Sequence, residues 1–420
     1  MRVLVLGSGG REHALCWGLS RSPQLRKLFI LPGNAGTARL GTNIPGDPAD
    51  VKLVVDVARR EQIDLVVVGP EDPLAAGVVD ALRAQGIRAF GPTAAAAKLE
   101  ADKAYAKQFM RQHAIPTAEA RIFDDYRLAR EYIATRDEAL VVKAAGLAKG
   151  KGVIVCDDPS DAILAAENML VKRAFGAAGD TIVVEEKLAG VETSLLCLVD
   201  GHTLYVLDPA QDYKRLRDGD QGPNTGGMGC YCPTNTITPE VLRQIETQIL
   251  VPTLDALVRE EVVYRGLLYV GLMLTLAGPK VLEFNCRFGD PETQVIIPRM
   301  RADLLEVLGS VADGRLEGVQ IDWDPRHAVC VVAASEGYPD NVATGRLIRG
   351  LGDVAEGEDL IVFHAGTKLQ AGDVATSGGR VLNVTALADT RAAAAQKAYA
   401  ALEKIRFEGM QYRKDIAAGA

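Results

Sequence analysis

The sequence predicts a mixed α/β and α+β chain, and three observations carry that class. Over residues 1–100 short apolar strands (3–6, 28–31, 65–68 and 88–90) alternate with helical stretches, the pattern of an N-terminal open parallel α/β domain. From 266 an uncharged apolar run turns back and surfaces as Glu283-Phe-Asn285-Cys-Arg287, a buried hairpin with polar groups at its mouth. Beyond 326, short strands broken by glycines (327–334, 345–348, 360–363 and 380–386) lead into an alanine-rich helix at 389–404, a small C-terminal α+β domain.

The first strand opens into Gly7-Ser-Gly-Gly-Arg-Glu-His-Ala, a glycine turn feeding a helix whose first amides can bind an anion. It is not a dinucleotide fingerprint. The third glycine position is Glu12, and no Asp or Glu lies between His13 and Gly46 to hold a ribose. The loop Gly69-Pro70-Glu71 ends the third strand at the same carboxyl edge of the sheet, where open α/β folds bind ligands, or it is an ordinary proline turn. With Gly9, Gly10 and Glu12 it is expected to form a sugar-phosphate pocket in which Glu71 or Glu12 accepts from hydroxyls or an amine.

From 102 a helix leads into a mixed region. Lys143-Ala-Ala-Gly-Leu-Ala-Lys-Gly-Lys-Gly152 places cations among glycines after an apolar strand, and it lacks the spacing and the Ser or Thr of a Walker A loop. Because Lys143 ends a buried strand, where an unpaired cation is costly, the loop reads as a mobile flap over phosphates, with Gly150, Lys151 and Gly152 at its tip. Strands follow at 181–185 and 192–207, carrying Glu185, Glu186, Lys187, Leu188 and Glu192, whose backbone and carboxylates suit a nucleoside. A turn-rich stretch, 209–233, then holds Asp212 and Lys214 and four glycines in Gly222-Pro-Asn-Thr-Gly-Gly-Met-Gly229, which permit close backbone approach to an anion. A helix at 239–261 precedes the hairpin.

Along that hairpin's second strand Glu283, Asn285 and Arg287 alternate, so all three face one way and Cys286 the other. A carboxylate and an amide oxygen two residues apart suit a hard cation, and the guanidinium suits a phosphate or an oxyanion. That combination is the signature of nucleotide chemistry.

Composition narrows the function classes. The 420 residues are 48% apolar and 24% charged with a formal charge of −8, which suits a globular protein of several domains and excludes general nucleic-acid binding. No uncharged apolar run approaches the ~20 residues of a membrane span. The start, Met1-Arg-Val-Leu-Val-Leu-Gly7, is a strand rather than a leader, so the expectation is a cytoplasmic protein. Seven scattered cysteines read as reduced packing residues, and five histidines form no zinc pair.

A basic glycine flap, a Glu-rich hinge, a glycine-rich loop and a terminal Glu-x-Asn strand, in that order, resemble the ATP-grasp enzymes. Within them the runs Gly7-Ser-Gly-Gly-Arg-Glu-His-Ala-Leu15, Pro32-Gly-Asn-Ala-Gly-Thr37, 222–229 and Glu283-Phe-Asn-Cys-Arg-Phe-Gly-Asp-Pro-Glu-Thr-Gln294 resemble the phosphoribosylamine-glycine ligase family, as do Phe363-His-Ala-Gly-Thr-Lys368 and Ser377-Gly-Gly-Arg380. The resemblance spans essentially the whole chain. It implies an N-terminal substrate-binding domain at 1–101, an ATP-grasp domain at 102–325 with a mobile lid at about 117–190, and a C-terminal domain at 326–420.

It also implies a reaction in which ATP, glycine and 5-phosphoribosylamine give ADP, phosphate and glycinamide ribonucleotide through glycyl phosphate, the second step of de novo purine synthesis. By the same resemblance Glu283 and Asn285 hold magnesium or manganese, and Lys103 and Lys143 meet the ATP phosphates. Lys187 and Leu188 meet adenine, and Glu192 meets its ribose. Arg287 with the Gly226 and Gly227 amides stabilises an oxyanion. Asp212, Lys214, Asp290, Asn224 and the adjoining Thr225 hold glycine and the sugar amine, and Lys368 or Arg380 closes on the phosphoribosyl group. The chain departs from the family at Ala145, Lys149 and Tyr213, which makes the flap more basic and removes a histidine base after Asp212.

Two other readings are a carboxylating relative that uses bicarbonate and a nucleotide-binding regulator without turnover. The Gly-Gly-Met-Gly loop and Gly289-Asp-Pro-Glu-Thr293 disfavour the first; the metal pair, flap lysine and Arg287 together disfavour the second. No amphipathic seam is evident, so a monomer is expected.

Overall fold

The computed structural model describes residues 1–148 and 151–418. Its first sheet is parallel throughout, in the order Thr42–Asn43, Lys27–Pro32, Arg2–Gly7, Leu65–Val68, Ala89–Phe90. Alternation along the central strand splits its side chains between two cores. Leu4 and Leu6 pack with Val54, Val57, Val78 and Leu82 of the helices Val51–Arg60 and Val78–Ala84. Val3 and Val5 pack on the other face with Leu15 and Leu19 of Gly10–Ser20 and with Leu304 and Leu308 of Leu304–Asp313. The chain reverses its direction of winding beside Arg2–Gly7, so the Gly9 turn and the Gly69 loop open into one crevice.

The middle of the chain builds two antiparallel sheets. Strands Leu204–Val206, Val191–Val199, Gly266–Thr275 and Gly278–Asn285 form the first in that order. The stretch expected as one strand at 192–207 is therefore a hairpin, turned at Asp200 and Gly201, where Gly201 takes φ +105°. The second sheet runs Ala120–Phe123, Ile182–Glu186, Leu140–Ala144, Val153–Cys156. It is backed by helices Tyr126–Ile133 and Pro159–Leu170, whose Ala129, Ile133, Ala162 and Met169 are fully buried. These residues form a small core of their own.

The helix expected at 239–261 is interrupted. It runs Pro239–Ile245, passes through a π-helical turn at Glu246–Leu250 and resumes as Val251–Arg259. Pro252 has no N–H to donate to the preceding turn, which accounts for the interruption.

The stretch 209–233 contains more order than its turn chemistry suggested. It holds a small hairpin, Arg215–Arg217 with Gln221–Asn224, and two strands that join the last sheet. That sheet is ordered Gln211–Asp212, Gly229–Cys232, His327–Ala334, Arg380–Ala388, Leu360–His364, with Arg391–Leu402 packed on it. Residues 345–348 form only isolated bridges rather than a strand. All seven cysteines are buried free thiols. No helix among the described residues is long and apolar enough to cross a membrane.

Candidate active site

Antiparallel pairing sets the hairpin's polar groups in place. Gly271 lies opposite Glu283 and Tyr269 opposite Asn285. A Cβ on Gly271 would come 3.3 Å from Glu283 Cγ, so the missing side chain leaves the carboxylate its room. Burial favours a neutral Glu283, yet Lys214, Lys143, Lys103 and Arg287 outweigh it and hold the carboxyl below the usual range. Five residues that sequence reasoning singled out separately are thus brought within one another's fields.

A divalent cation fits this donor set. Glu283 is held anionic, Asn285 offers an amide oxygen on the same strand face, and two protein oxygens are what magnesium commonly takes when phosphates and water supply the rest. No group of three or more His, Cys, Asp or Glu suited to a metal occurs among the described residues, which argues against a metal caged by the protein alone.

Lys103 begins the helix Lys103–Gln112, whose N-cap Asp102 accepts from Tyr105 N at 3.0 Å, a cap worth ~1 kcal/mol. Its Nζ donates to Gly146 O at 3.3 Å, and burial lowers its ammonium. Lys143 Nζ donates to Leu282 O at 3.1 Å and pairs with Glu185 at 2.9 Å. Glu185 is 2% exposed and lies between Lys143 and Lys107, so its carboxylate neutralises two buried lysines. Glu186 accepts from Glu119 N and Lys280 Nζ, each at 3.0 Å. Lys187 N donates to Ala139 O at 3.1 Å, which spends that amide on the sheet, and Lys187 Nζ meets Asp157 at 2.8 Å. Leu188 and Glu192 follow at the rim, with Glu192 paired to Lys214. Lys151 is exposed, 3.9 Å from Asp340, and Gly152 hydrogen-bonds Ala144 through its carbonyl. Gly150 lies outside the described residues.

Arg287 is clamped rather than free. Its guanidinium meets Glu71 at 3.2 Å, Glu100 at 3.1 Å, Asn285 Oδ1 at 3.2 Å and Phe288 O at 3.3 Å. Glu71 is half-buried, and the partial desolvation would raise its carboxyl, but Arg287 and Arg11 bring it down to about 2. Glu100, more deeply buried and next to Glu71, is pushed up to about 7 despite the same arginine. Glu71 is thus drawn onto Arg287, away from the role of sugar acceptor expected of it.

The glycine loop is similarly committed. Gly226 N donates to Tyr338 OH at 2.9 Å and Gly227 N to Thr225 Oγ1 at 3.0 Å, so both amides expected to meet an oxyanion have protein acceptors in this conformation. Thr225 in turn bonds Lys214 O through both its amide and its hydroxyl, at 2.8 Å each. Asn224 ends the adjoining hairpin. Gly227 takes φ +107°, and a Cβ there would press on Pro291 Cδ at 2.5 Å and Asp212 Oδ1 at 2.6 Å. Asp212 Oδ1 is buried without a hydrogen-bond partner. Burial and nearby Glu292 raise its carboxyl well up, against Lys214 and Arg380. Arg380 donates to Gly226 O and, at 2.6 Å, to Asp290 O, tying the loop to the 290 segment instead of facing a phosphate.

In the first domain the anion-binding helix end is already filled. Glu12 Oε2 accepts from Gly9 N at 2.6 Å, and its other oxygen pairs with Arg11 at 2.5 Å; Asp290 Oδ2 accepts from Arg11 N at 3.3 Å. Glu12 is 2% exposed and packs where a Cβ on Gly7, Gly9 or Gly69 would lie. It therefore satisfies orphan helix amides and does not reach into the crevice. Gly10 abuts Asn383 and Gln294, and Pro70 precedes the short helix carrying Glu71. Lys368 stands exposed on the hairpin Thr367–Gln370 with Asp373–Thr376.

Models of the phosphoribosylglycinamide synthetase N domain, ATP-grasp (A) domain and C domain match residues 1–100, 101–293 and 328–419. The chain belongs to the phosphoribosylglycinamide synthetase family. A phosphoribosylamine–glycine ligase of Rhodopirellula baltica is 49% identical over 99% of this chain and 96% of its own. A trifunctional purine biosynthetic protein of Gallus gallus is 50% identical, and the chain spans 42% of it. The crystal structure of a phosphoribosylamine–glycine ligase from Thermotoga maritima superposes with a TM-score of 0.86 at 35% identity, covering 99% of this chain and all of that one. ATP-grasp ligases use ATP with a divalent metal, and the region matched by the family's ATP-grasp domain contains Lys103, Lys143, Glu283, Asn285 and Arg287.

Sequence reasoning missed several buried polar residues that pack behind these groups. Lys107 follows Lys103 by four positions, one helical turn, so helix spacing could have paired them. Tyr269, in an apolar run, donates to Glu292 at 2.9 Å and lies 2.5 Å from Ser194 Oγ; nothing local to it signals that chain. Glu100 accepts from Cys286 N at 2.6 Å across a sequence gap of 186 residues, a contact that only the fold creates.

Proposed function

We infer that this chain is an ADP-forming ligase that joins glycine to 5-phosphoribosylamine. The observation that carries the reading is the half-buried Glu283 on the Glu-x-Asn strand, within the fields of Lys103, Lys143, Lys214 and Arg287, in a chain that matches the family from end to end. A glycine carboxylate is a poor acylating agent. One of its oxygens attacks the γ-phosphorus of ATP, the bond to the ADP oxygen breaks, and glycyl phosphate forms. The amine nitrogen of 5-phosphoribosylamine then attacks the carbonyl carbon, loses a proton and expels phosphate.

Lys103 and Lys143 would hold the polyphosphate by charge, and the sheet edge at Lys187 and Leu188, with Glu192, would take the nucleoside. Glu283 and Asn285 would hold magnesium or manganese, which neutralises phosphate charge that otherwise repels the glycine carboxylate. Asp212, Lys214 and Asn224 would orient glycine and the sugar amine, with Asp290 at the crevice, while Gly9, Gly10, Gly69 and Pro70 line the phosphoribosyl pocket that Lys368 borders. Arg287 would act on the developing oxyanion from the position its two carboxylates fix. A division at 101 and 325, a lid at about 117–190, a monomeric state and a cytoplasmic location complete the proposal.

ADP release with ATP, magnesium and glycine, measured with and without phosphoribosylamine made in situ from ribose 5-phosphate and ammonia, tests it. Release that needs both substrates is expected. Release with neither, or only with bicarbonate, would overturn the substrate assignment.

A further inference from the structure

Lys107 is a buried cation with no part in the chemistry above. It is 6% exposed, yet its Nζ sits 3.2 Å from Glu185 Oε1 and donates to Thr117 Oγ1 at 2.6 Å. Thr117 is itself anchored, donating to Val281 O at 2.6 Å, and the neighbouring Val281 N donates to Pro116 O at 2.8 Å. The other oxygen of Glu185 holds Lys143 at 2.9 Å. The carboxylate of Glu185 thus serves two lysines: Lys107 is fastened through Thr117 to the strand that carries Glu283, and Lys143, near the end of Leu140–Ala144, also donates to Leu282 O of that strand.

We propose that Lys107 is a positioning residue that keeps Glu185 neutralised, so that Lys143 can leave it for the ATP phosphates. The inference rests on the ATP-site reading given above. A buried carboxylate left without a cation is strongly disfavoured, so if Lys143 were the sole partner of Glu185, turning toward a phosphate would cost much of what the phosphate contact supplies. Lys107 cannot follow Lys143, because Thr117 pins it to the Val281 backbone. It also repels Lys143: the two ammonium groups lower one another's hold on the shared carboxylate, and burial together with that repulsion brings Lys107 down to about 8 while Glu185 pulls the other way. Lys143 is held at rest by Glu185 and by Leu282 O, and the carboxylate it leaves keeps a cation in Lys107.

The test is MgATP binding by calorimetry on the full chain, with kcat and KM for ATP measured alongside. Lys107→Met is expected to weaken binding roughly tenfold or more and to raise KM for ATP by the same factor, with kcat and KM for glycine within about threefold of the unaltered protein. Lys107→Arg should restore binding to within about threefold. The double variant Lys107→Met with Glu185→Gln removes both charges and should bind MgATP at least as well as Lys107→Arg. A merely structural lysine would lower the melting temperature of Lys107→Met and leave the MgATP affinity of the folded protein unchanged. If Lys107→Met alone fails to fold, the double variant decides, because it buries no unpaired carboxylate. Unchanged affinity in Lys107→Met, or a double variant weakened tenfold, would overturn the role of Lys107. Absence of MgATP binding by the unaltered protein would instead overturn the ATP-site reading itself.

Discussion

At the residue scale, charge in this site is set by competition between burial and neighbours. Glu283 stays ionised although half-buried because four cations surround it. Glu283→Gln should therefore cut kcat/KM at least roughly a hundredfold while the thermal melt still shows a folded protein. Near-normal turnover at saturating magnesium would contradict its metal role. Glu71 makes the sign of a pH effect explicit. Its folded carboxyl lies at about 2, below the ordinary 4.5, so it binds protons less readily in the fold than in the unfolded chain. Its pairing with Arg287 then adds stability above pH 4.5 that is lost as pH falls toward 2. Glu71→Gln should lower the melting temperature at pH 7 by an amount equivalent to about 2 kcal/mol, and the gap should narrow steadily below pH 4.5. A gap independent of pH would mean the contribution is packing alone.

At the scale of elements, the sheet Ala120–Phe123, Ile182–Glu186, Leu140–Ala144, Val153–Cys156 is tied to the rest of the chain by the Thr117–Val281 bridge, the shared Glu185 and the Lys280–Glu186 pair, among other contacts, while Lys151 is exposed. The Lys151–Asp340 pair, at 3.9 Å between exposed side chains, contributes about 0–1 kcal/mol and does not hold the flap shut. If closure over phosphates shields glycyl phosphate from water, Lys149→Ala with Lys151→Ala should raise glycine-dependent ATP hydrolysis in the absence of the sugar amine by ~3-fold or more. Unchanged uncoupled hydrolysis would assign the shielding elsewhere.

Strand alternation made the Glu283 face legible in the sequence, because a period of two survives in any sheet. What the turn-rich stretch 209–233 would pair with was not legible. Gly229–Cys232 looks like loop until His327–Ala334 lies beside it, and no local pattern encodes a partner so far along the chain. For the same reason the pairing of Glu12 with the Gly9 amide was not legible. Which acceptor a helix end takes depends on which carboxylate the fold delivers there first.

At the scale of the whole molecule, the last sheet is built from two distant stretches. Gln211–Asp212 and Gly229–Cys232 supply one flank of a sheet whose other three strands come from the C-terminal hundred residues. Residues 326–420 alone would leave His327–Ala334, fully buried at Val329 and Val331, as a bare edge. That fragment is expected to aggregate or to lack dispersed amide resonances, and to become soluble when co-expressed with residues 1–325. A well-dispersed spectrum from the fragment alone would contradict this. The same seam sets a clock on synthesis. Gly229–Cys232 leaves the ribosome about a hundred residues ahead of its partner strand, and at ~5–20 residues per second it waits roughly 5–20 s with its hydrogen-bonding edge open. During that interval the edge is open to pairing with another strand.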